Sequence, residues 1–360
     1  MEVGFSKKLS LFQLNDHPKP KLMFNKNYPF FTGSSKGMVK HFKEYSNWIK
    51  RNYLKRKKNL IEIGSNDGTF LKNFDKKKFN ILGIEPSSNV AKLSNFKGIK
   101  TINNFFTFHT AKKLKKLKKK TDIICAANVI CHVPDLTNLI RGVDLLLDKN
   151  GFFIFEEPYL GSMYEKTSYD QIYDEHIFMF SATSIKKVFK LFNFDLIDVI
   201  SQKTHGGSMR YVVGRAGVHR IKKNVIKLLK DEKKKNIDTL KGCLNFKKKC
   251  ENSRKKLKNK INSILKKGKN IAGYAATSKS TTILNYCGIN SNHIDFICDT
   301  TPNKINTYTP GTHIPIVPVE HFKKNIPDYT FLFAWNHKKE IFLKEKKLLK
   351  KTKWFAHVNI

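Results

Sequence analysis

Arginine is scarce in this chain. Only seven of its 69 basic residues are Arg (Arg51, Arg56, Arg141, Arg210, Arg215, Arg220 and Arg254), although the formal net charge over 360 residues is +40. Bidentate readout of nucleic acid favours Arg, so an excess carried by Lys spread along the whole chain reads as solvated surface, and no nucleic-acid partner is expected. The same excess can steer a phosphate-bearing substrate toward the protein, which asks nothing of Arg. Clustered cysteine is missing as well. The six cysteines, Cys125, Cys131, Cys243, Cys250, Cys287 and Cys298, form no CxxC pair and none precedes Cys125. That pattern excludes an N-terminal zinc ribbon, and no metal is expected. Met1 to Gln13 has no long apolar core, so reduced thiols and a cytoplasmic location are expected. No apolar run approaches the ~18 to 20 residues needed to cross a bilayer, which leaves no membrane partner.

What is present is a packed globular composition, 40% hydrophobic and 12% aromatic, in a chain long enough for two domains. Residues 1–45 hold Pro18, Pro20, Pro29, Gly33 and Gly37 among scattered aromatics and read as an irregular arm leading into a helix near Gly37 to Tyr53. From Asn59 onward, apolar strands at Leu60 to Ile63, Ile81 to Ile84, Ile123 to Ala127 and Phe152 to Phe155 alternate with polar helical stretches. This predicts a parallel, doubly wound α/β sheet within a domain spanning 46–216. A Lys-rich stretch, 217–268, carries Ile221, Val225, Leu228, Leu229, Leu257, Ile261, Ile264 and Leu265 at helical spacing and reads as a connector of one or two amphipathic helices. Strands near Asn270 to Tyr274, His293 to Cys298 and Tyr329 to Ala334 then predict a second, smaller Rossmann-like unit over 269–360.

The first long strand runs into Glu62-Ile63-Gly64-Ser65-Asn66-Asp67-Gly68. Glycine at such a turn lets the backbone approach a ligand at the carboxyl edge of the sheet. About twenty residues on, Glu85 ends the second strand, where one carboxylate can accept hydrogen bonds from both hydroxyls of a ribose. The turn lacks the G-x-G-x-x-G spacing that seats a pyrophosphate, and it carries Glu62, Asn66 and Asp67. Acidic and amide groups suit a cationic sulfonium with an amino-acid tail, which points to S-adenosylmethionine over NAD. Asn128 and His132, in the loop Asn128 to Asp135 after the third strand, fall on the same edge.

Taken together, LFQLNDHPKP, LMFNKNYPFFTGSSKGMVKHF, EIGSNDGTFL, GIEPSSNVA, NVICHVPDL, YDQIYDEHIFMFSATSI, THGGSMRYV, GYAATSKSTTILNYCGI, DTTPNKINTYTPGTHIPI and FLFAWNHKKEI span most of the chain. This combination resembles the sugar C-methyltransferases that act on nucleotide-linked keto-deoxysugars. The resemblance implies a Rossmann-like adenosylmethionine-binding sheet, a C-terminal domain that binds the nucleotide sugar, and methylation of a carbon next to a ketone. His176 is then the general base, with Tyr173 and Glu175 positioning it or the substrate, since an imidazole suits proton removal α to a carbonyl. Tyr28 and His132 are implied near the methyl donor, beside Glu62, Gly64, Asn66, Asp67, Gly68, Glu85 and Asn128. His205, Gly206, Gly207, Ser208 and Arg210 offer close backbone approach and a cation to the diphosphate or the sugar, and Lys279 follows a strand where phosphate can sit at a helix N-terminus. The sequence departs from the family in three places: it starts beyond the usual cysteine-rich zinc module, Asp174 stands where many relatives carry His, and AATSKS replaces a more Gly-rich pattern. The competing readings are an O- or N-methyltransferase of the same fold and a non-catalytic nucleotide-sugar-binding protein.

Overall fold

The structure, a computed structural model, describes residues 1–54, 59–117 and 120–359. Its main sheet has seven strands: β1 (Asn59–Ile63), β2 (Asn80–Glu85), β3 (Thr101–Asn103), β4 (Thr121–Ala127), β5 (Leu147–Pro158), β6 (Phe194–Gln202) and β7 (Ser208–Arg215). They lie in the order β3-β2-β1-β4-β5-β7-β6. All pairs are parallel except those of β7, which runs antiparallel to both β5 and β6.

The apolar runs of β1 and β4 become central strands because both of their faces are covered. Leu60, Ile123, Cys125 and Ile154 pack with Phe42, Tyr45, Ile49 and Tyr53 of the helix Lys36–Tyr53. Ile61, Ile63, Ile124 and Ala126, one residue out of phase, pack on the opposite side with Leu139, Ile140 and Val143 of the helix Leu136–Leu146. Strand order reverses between β1 and β4, so the loops after β1, β2 and β4 gather at one crevice, where open sheets of this kind bind ligands.

The arm is more ordered than the sequence reading expects. Val3–Ser6 and Leu11–Leu14 pair as an antiparallel hairpin, joined by Phe178–Met179. Each strand is four residues or shorter, too brief for an alternating pattern to stand out, and Leu11, Phe12 and Leu14 are held by burial.

The chain divides into two compact units: Met1–Tyr159 with Asp174–Gln202 and Ser208–Asp238, and Leu160–Tyr173 with Lys203–Gly207 and Thr239–Ile360. Two helices occupy the Lys-rich stretch. Lys223–Lys234 belongs to the first unit and Leu240–Leu265 to the second, where Cys243, Phe246, Cys250, Leu257, Ile261 and Ile264 form its buried stripe. The second unit holds a parallel sheet of β8 (Ile271–Tyr274), β9 (Ile297–Asp299), β10 (Ile316–Pro318), β11 (Tyr329–Leu332) and β12 (Lys353–Phe355), ordered β10-β9-β8-β11-β12. Among the described residues no helix is long and apolar enough to cross a membrane.

Candidate active site

The turn after β1 is held by backbone conformations that few residues adopt. Gly64 has φ +68°, and a Cβ there would meet Val129 Cγ2 at 2.3 Å, so the loop after β4 lies directly on the turn. Asn66 also has positive φ (47°), and its backbone N–H donates to Glu85 Oε2 at 2.9 Å. Glu85 accepts a second bond from Ser87 N at 2.8 Å, and burial raises its pKa. Gly68 (φ +75°) packs against Ser94 and Ile99. Glu62 is buried and its Oε2 has no hydrogen-bond partner; burial first, then the Glu85 and Asp67 charges, push its carboxyl well above the ordinary range. An orphaned acidic oxygen beside a tight glycine turn fits a ligand carrying a positively charged group.

The side chains of Asn66 and Asp67 turn the other way, onto the arm. Asn66 accepts from Thr32 N at 2.9 Å and donates to Phe30 O at 3.1 Å. Asp67 accepts from Gly33 N (3.1 Å), Thr69 Oγ1 (2.7 Å) and Lys97 Nζ (3.1 Å). These residues therefore tether the arm across the turn. Farther along the arm, Asn89 Nδ2 donates to Tyr28 O at 2.8 Å, and Tyr28 packs on Phe24, which in turn packs on His132. Burial, then the charges of Glu175 and Glu85, hold the Tyr28 phenol protonated far above its usual range.

His132 and His176 face each other with ring centroids 5.2 Å apart, and His176 is only 3% exposed. His132 Nδ1 lies 2.5 Å from the Glu175 carbonyl oxygen. A carbonyl only accepts, so Nδ1 carries the proton, and burial lowers the imidazole's pKa, keeping it neutral near pH 7. Cys131, His132 and His176 also bring one ligand-type atom each to within 4.8 Å of the others. Burial pushes the Cys131 thiol well above its usual pKa, so it stays a thiol and leaves the two imidazoles for proton chemistry. Beneath the loop, Glu157 Oε1 accepts from Val129 N (3.1 Å) and Ile130 N (2.7 Å), and burial raises its pKa to about 7. Burial, with the Asp174 charge, raises the Glu175 carboxyl too. Asn128, at φ 54°, donates its backbone N–H to Glu156 O at 2.8 Å, which fixes the start of the same loop.

Arg210 is not free to meet a substrate anion. Its Nε and Nη2 lie 2.7 and 2.5 Å from Glu156 Oε1, and its guanidinium stacks over Tyr45 and Trp48 at 4.0 and 4.5 Å. His41 Nε2 holds the other Glu156 oxygen at 2.6 Å. Ser208, the first residue of β7, is buried opposite Pro158 and Gln202. His41, Glu156 and Glu157 are absent from the sequence reading; the signal available was the pair of acids closing the apolar run FFIFEEP, of which period-two alternation sends one to each face.

The remaining residues singled out in the sequence lie in the second unit. Tyr173 closes its segment Leu160–Tyr173, while Glu175 and His176 open the next segment of the first unit. His205 (φ 52°), Gly206 (φ +86°) and Gly207 (φ +133°) form a turn packed on Trp335, whose Cη2 is 2.3 Å from where a Gly206 Cβ would stand. Lys279, in the first turn of the helix Ser278–Cys287, is buried.

Known proteins match this architecture in two adjoining pieces. A family model described as a methyltransferase domain matches residues 39–199, and one described as the C-methyltransferase C-terminal domain matches residues 203–358. C-methyltransferase NovU of Streptomyces niveus is 27% identical over 351 residues, 97% of this chain and 83% of that one. Among solved structures, the PH0226 protein of Pyrococcus horikoshii OT3 is similar at 14% identity over 52% of this chain and 94% of its own, with a TM-score of 0.41. Magnesium protoporphyrin IX methyltransferase of Synechocystis PCC 6803 with bound SAH matches at 13% identity, 50% and 84% coverage and a TM-score of 0.40. With both domain models adjoining across nearly the whole chain, and a full-length similarity to a C-methyltransferase, this protein belongs to the S-adenosylmethionine-dependent methyltransferases that carry a C-methyltransferase C-terminal domain.

Proposed function

We propose that the enzyme methylates the carbon α to the ketone of a nucleotide-linked keto-deoxysugar. The observation that carries this reading is the His132–His176 pair set beside the donor crevice, His176 buried and His132 half-buried, with neutral His132 oriented by a backbone carbonyl. O-methylation of an acidic hydroxyl asks for one weak base; a carbon acid asks for a base together with a hydrogen-bond donor for the enolate oxygen.

In this scheme His176 removes the α-proton onto its imidazole as the C–H electrons move into the enolate. A neutral donor steadies the enolate oxygen, and the Tyr28 phenol, which burial keeps protonated, is suited to that task. Glu175 positions His132 through its carbonyl, and Tyr173 contacts the substrate. Bound adenosylmethionine supplies the electrophilic methyl group. Glu62 and Glu85 offer carboxyl oxygens to the donor's amino group and ribose, Gly64 and Gly68 allow close approach, Asn128 lines the edge, and Asn66 and Asp67 act through the arm they tether. His205, Gly206, Gly207, Ser208 and Lys279 hold the substrate beyond its sugar, while Arg210 works through Glu156. The similar NovU is a C-methyltransferase, which supports carbon as the acceptor over oxygen or nitrogen.

Incubation with labelled adenosylmethionine and a panel of nucleotide 4-keto-6-deoxysugars, followed by mass analysis, tests donor and acceptor together. The expected result is one added methyl on a ring carbon. Without donor, the wild type should exchange the substrate α-proton with solvent deuterium and His176→Ala should not; absence of exchange in the wild type would count against the enolate.

A further inference from the structure

The proposed reaction uses the two imidazoles beside the donor crevice and leaves a third group at the same spot unemployed. Cys131, His132 and His176 each bring one ligand-type atom to within 4.8 Å of the others, and all three belong to the first unit. One thiol and two imidazoles are the donors that ions of the zinc class select, whereas calcium and magnesium take oxygen. At metal–ligand bonds of about 2.0–2.3 Å, neighbouring donors on a tetrahedral ion stand roughly 3.3–3.6 Å apart. An ion therefore draws the three groups together by roughly 1 Å, a shift that side-chain torsions cover inside one rotamer well.

His132 is already held as metal-binding imidazoles are held. Its Nδ1–H donates to the Glu175 carbonyl oxygen at 2.5 Å, which fixes the ring and the tautomer and makes Nε2 the ligand atom. The local charge favours a cation as well. In a chain of net charge +40, the charges that bear on the Cys131 sulfur include the carboxylates Glu157 and Glu175. Glu157 Oε1 accepts from Val129 N and Ile130 N, but its buried Oε2 has no hydrogen-bond partner. A buried acidic oxygen left in that state is stabilised by a positive charge nearby. Cys131 and His176 are buried and His132 is half-buried, so an ion reaches the thiol past the His132 ring.

We propose that Cys131, His132 and His176 form a binding site for a thiophilic divalent cation of the zinc class, and that the ion switches methyl transfer off. Without the ion the thiol keeps its proton and the imidazoles handle the substrate's. Binding forms a metal–sulfur bond as the thiol proton passes to solvent, while each imidazole coordinates through a nitrogen lone pair. The His176 lone pair is then spent on the metal and cannot take the α-proton. This loss of activity rests on the function proposed above; the existence of the ion site does not.

The test titrates the full chain, first treated with a chelator, with Co2+ as an optical stand-in and then with Zn2+ against a chelating indicator. Co2+ should give thiolate-to-cobalt charge-transfer absorption in the near ultraviolet, saturating at about one equivalent, and Zn2+ should displace it, whereas Mg2+ should not. Cys131→Ala and the more nearly isosteric Cys131→Ser should lose that absorption and bind Zn2+ about tenfold or more weakly, with adenosylhomocysteine affinity unchanged as the check on folding. In the deuterium-exchange assay, Zn2+ should stop exchange by the wild type and a chelator should restore it. Cys131→Ala should exchange without metal and keep exchanging at the Zn2+ concentration that stops the wild type. Absence of the charge-transfer absorption in the wild type, or its persistence in both Cys131 variants, would overturn the site. Exchange that continues with the ion bound would overturn the switch. If Zn2+ binds through Cys131 and the metal-free chain neither exchanges nor methylates any sugar nucleotide, the ion site stands and the substrate assignment falls.

Discussion

Glu157 shows how one buried residue couples the loop that carries His132 to pH. Its two backbone hydrogen bonds shape the start of the segment that carries His132, and burial lifts its pKa to about 7 against an ordinary value of 4.5. Between those values the folded chain binds a proton that the unfolded chain has released, so this group's contribution is full below about pH 4.5 and is lost as pH rises through 7. Glu157→Gln should therefore flatten the decline in melting temperature between pH 5 and 8; an unchanged pH profile would show that Glu157 does not titrate in this window. Gly64 makes a second case. A Cβ at 2.3 Å from Val129, on a backbone at φ +68°, predicts that Gly64→Ala costs roughly 1–3 kcal/mol and weakens adenosylhomocysteine binding. Urea unfolding and calorimetry read the two effects separately.

At the scale of elements, the helix Lys36–Tyr53 does more than cover β1 and β4. It carries His41 to Glu156 and provides Tyr45 and Trp48 as a stack for Arg210, so a surface element and two sheet strands share one buried ionic network. Burial alone would raise the Glu156 carboxyl, and His41 and Arg210 hold it below its ordinary value instead. Removing one partner leaves an unpaired buried carboxylate, so Arg210→Met should cost roughly 3–5 kcal/mol, and adding Glu156→Gln should restore part of that loss in denaturant titrations. The arm behaves differently, since its attachment runs through Asn66 and Asp67. Asp67→Asn should leave the sheet intact and speed amide exchange at Gly33, whose N–H bonds the lost carboxylate.

Over the whole molecule the two units carry separate cores, one around the seven-stranded sheet and one around the five-stranded sheet. Adenosylhomocysteine should raise the melting of one calorimetric transition and leave a second in place; a single transition that shifts as a whole would show that the units unfold together.

The parallel sheets were legible in the sequence because strands buried on both faces must be written as apolar runs, and Leu60 to Ile63, Ile123 to Ala127 and the glycine turn at Gly64 follow that rule. The donor edge was legible for the same reason, as strand ends and turns are local. Partnership was not. Arg210, read as a ligand for anions, lies on Glu156 fifty-four positions away, and Asn66 and Asp67 reach an arm thirty-four positions back. Lys279 was legible by its place after a strand at the start of a helix, whereas its burial was decided by the fold. Local pattern carries the backbone's own hydrogen bonding and the side of a strand that faces the core, whereas the partner of a polar side chain, and hence its charge and its role, is chosen by contacts between segments distant in sequence.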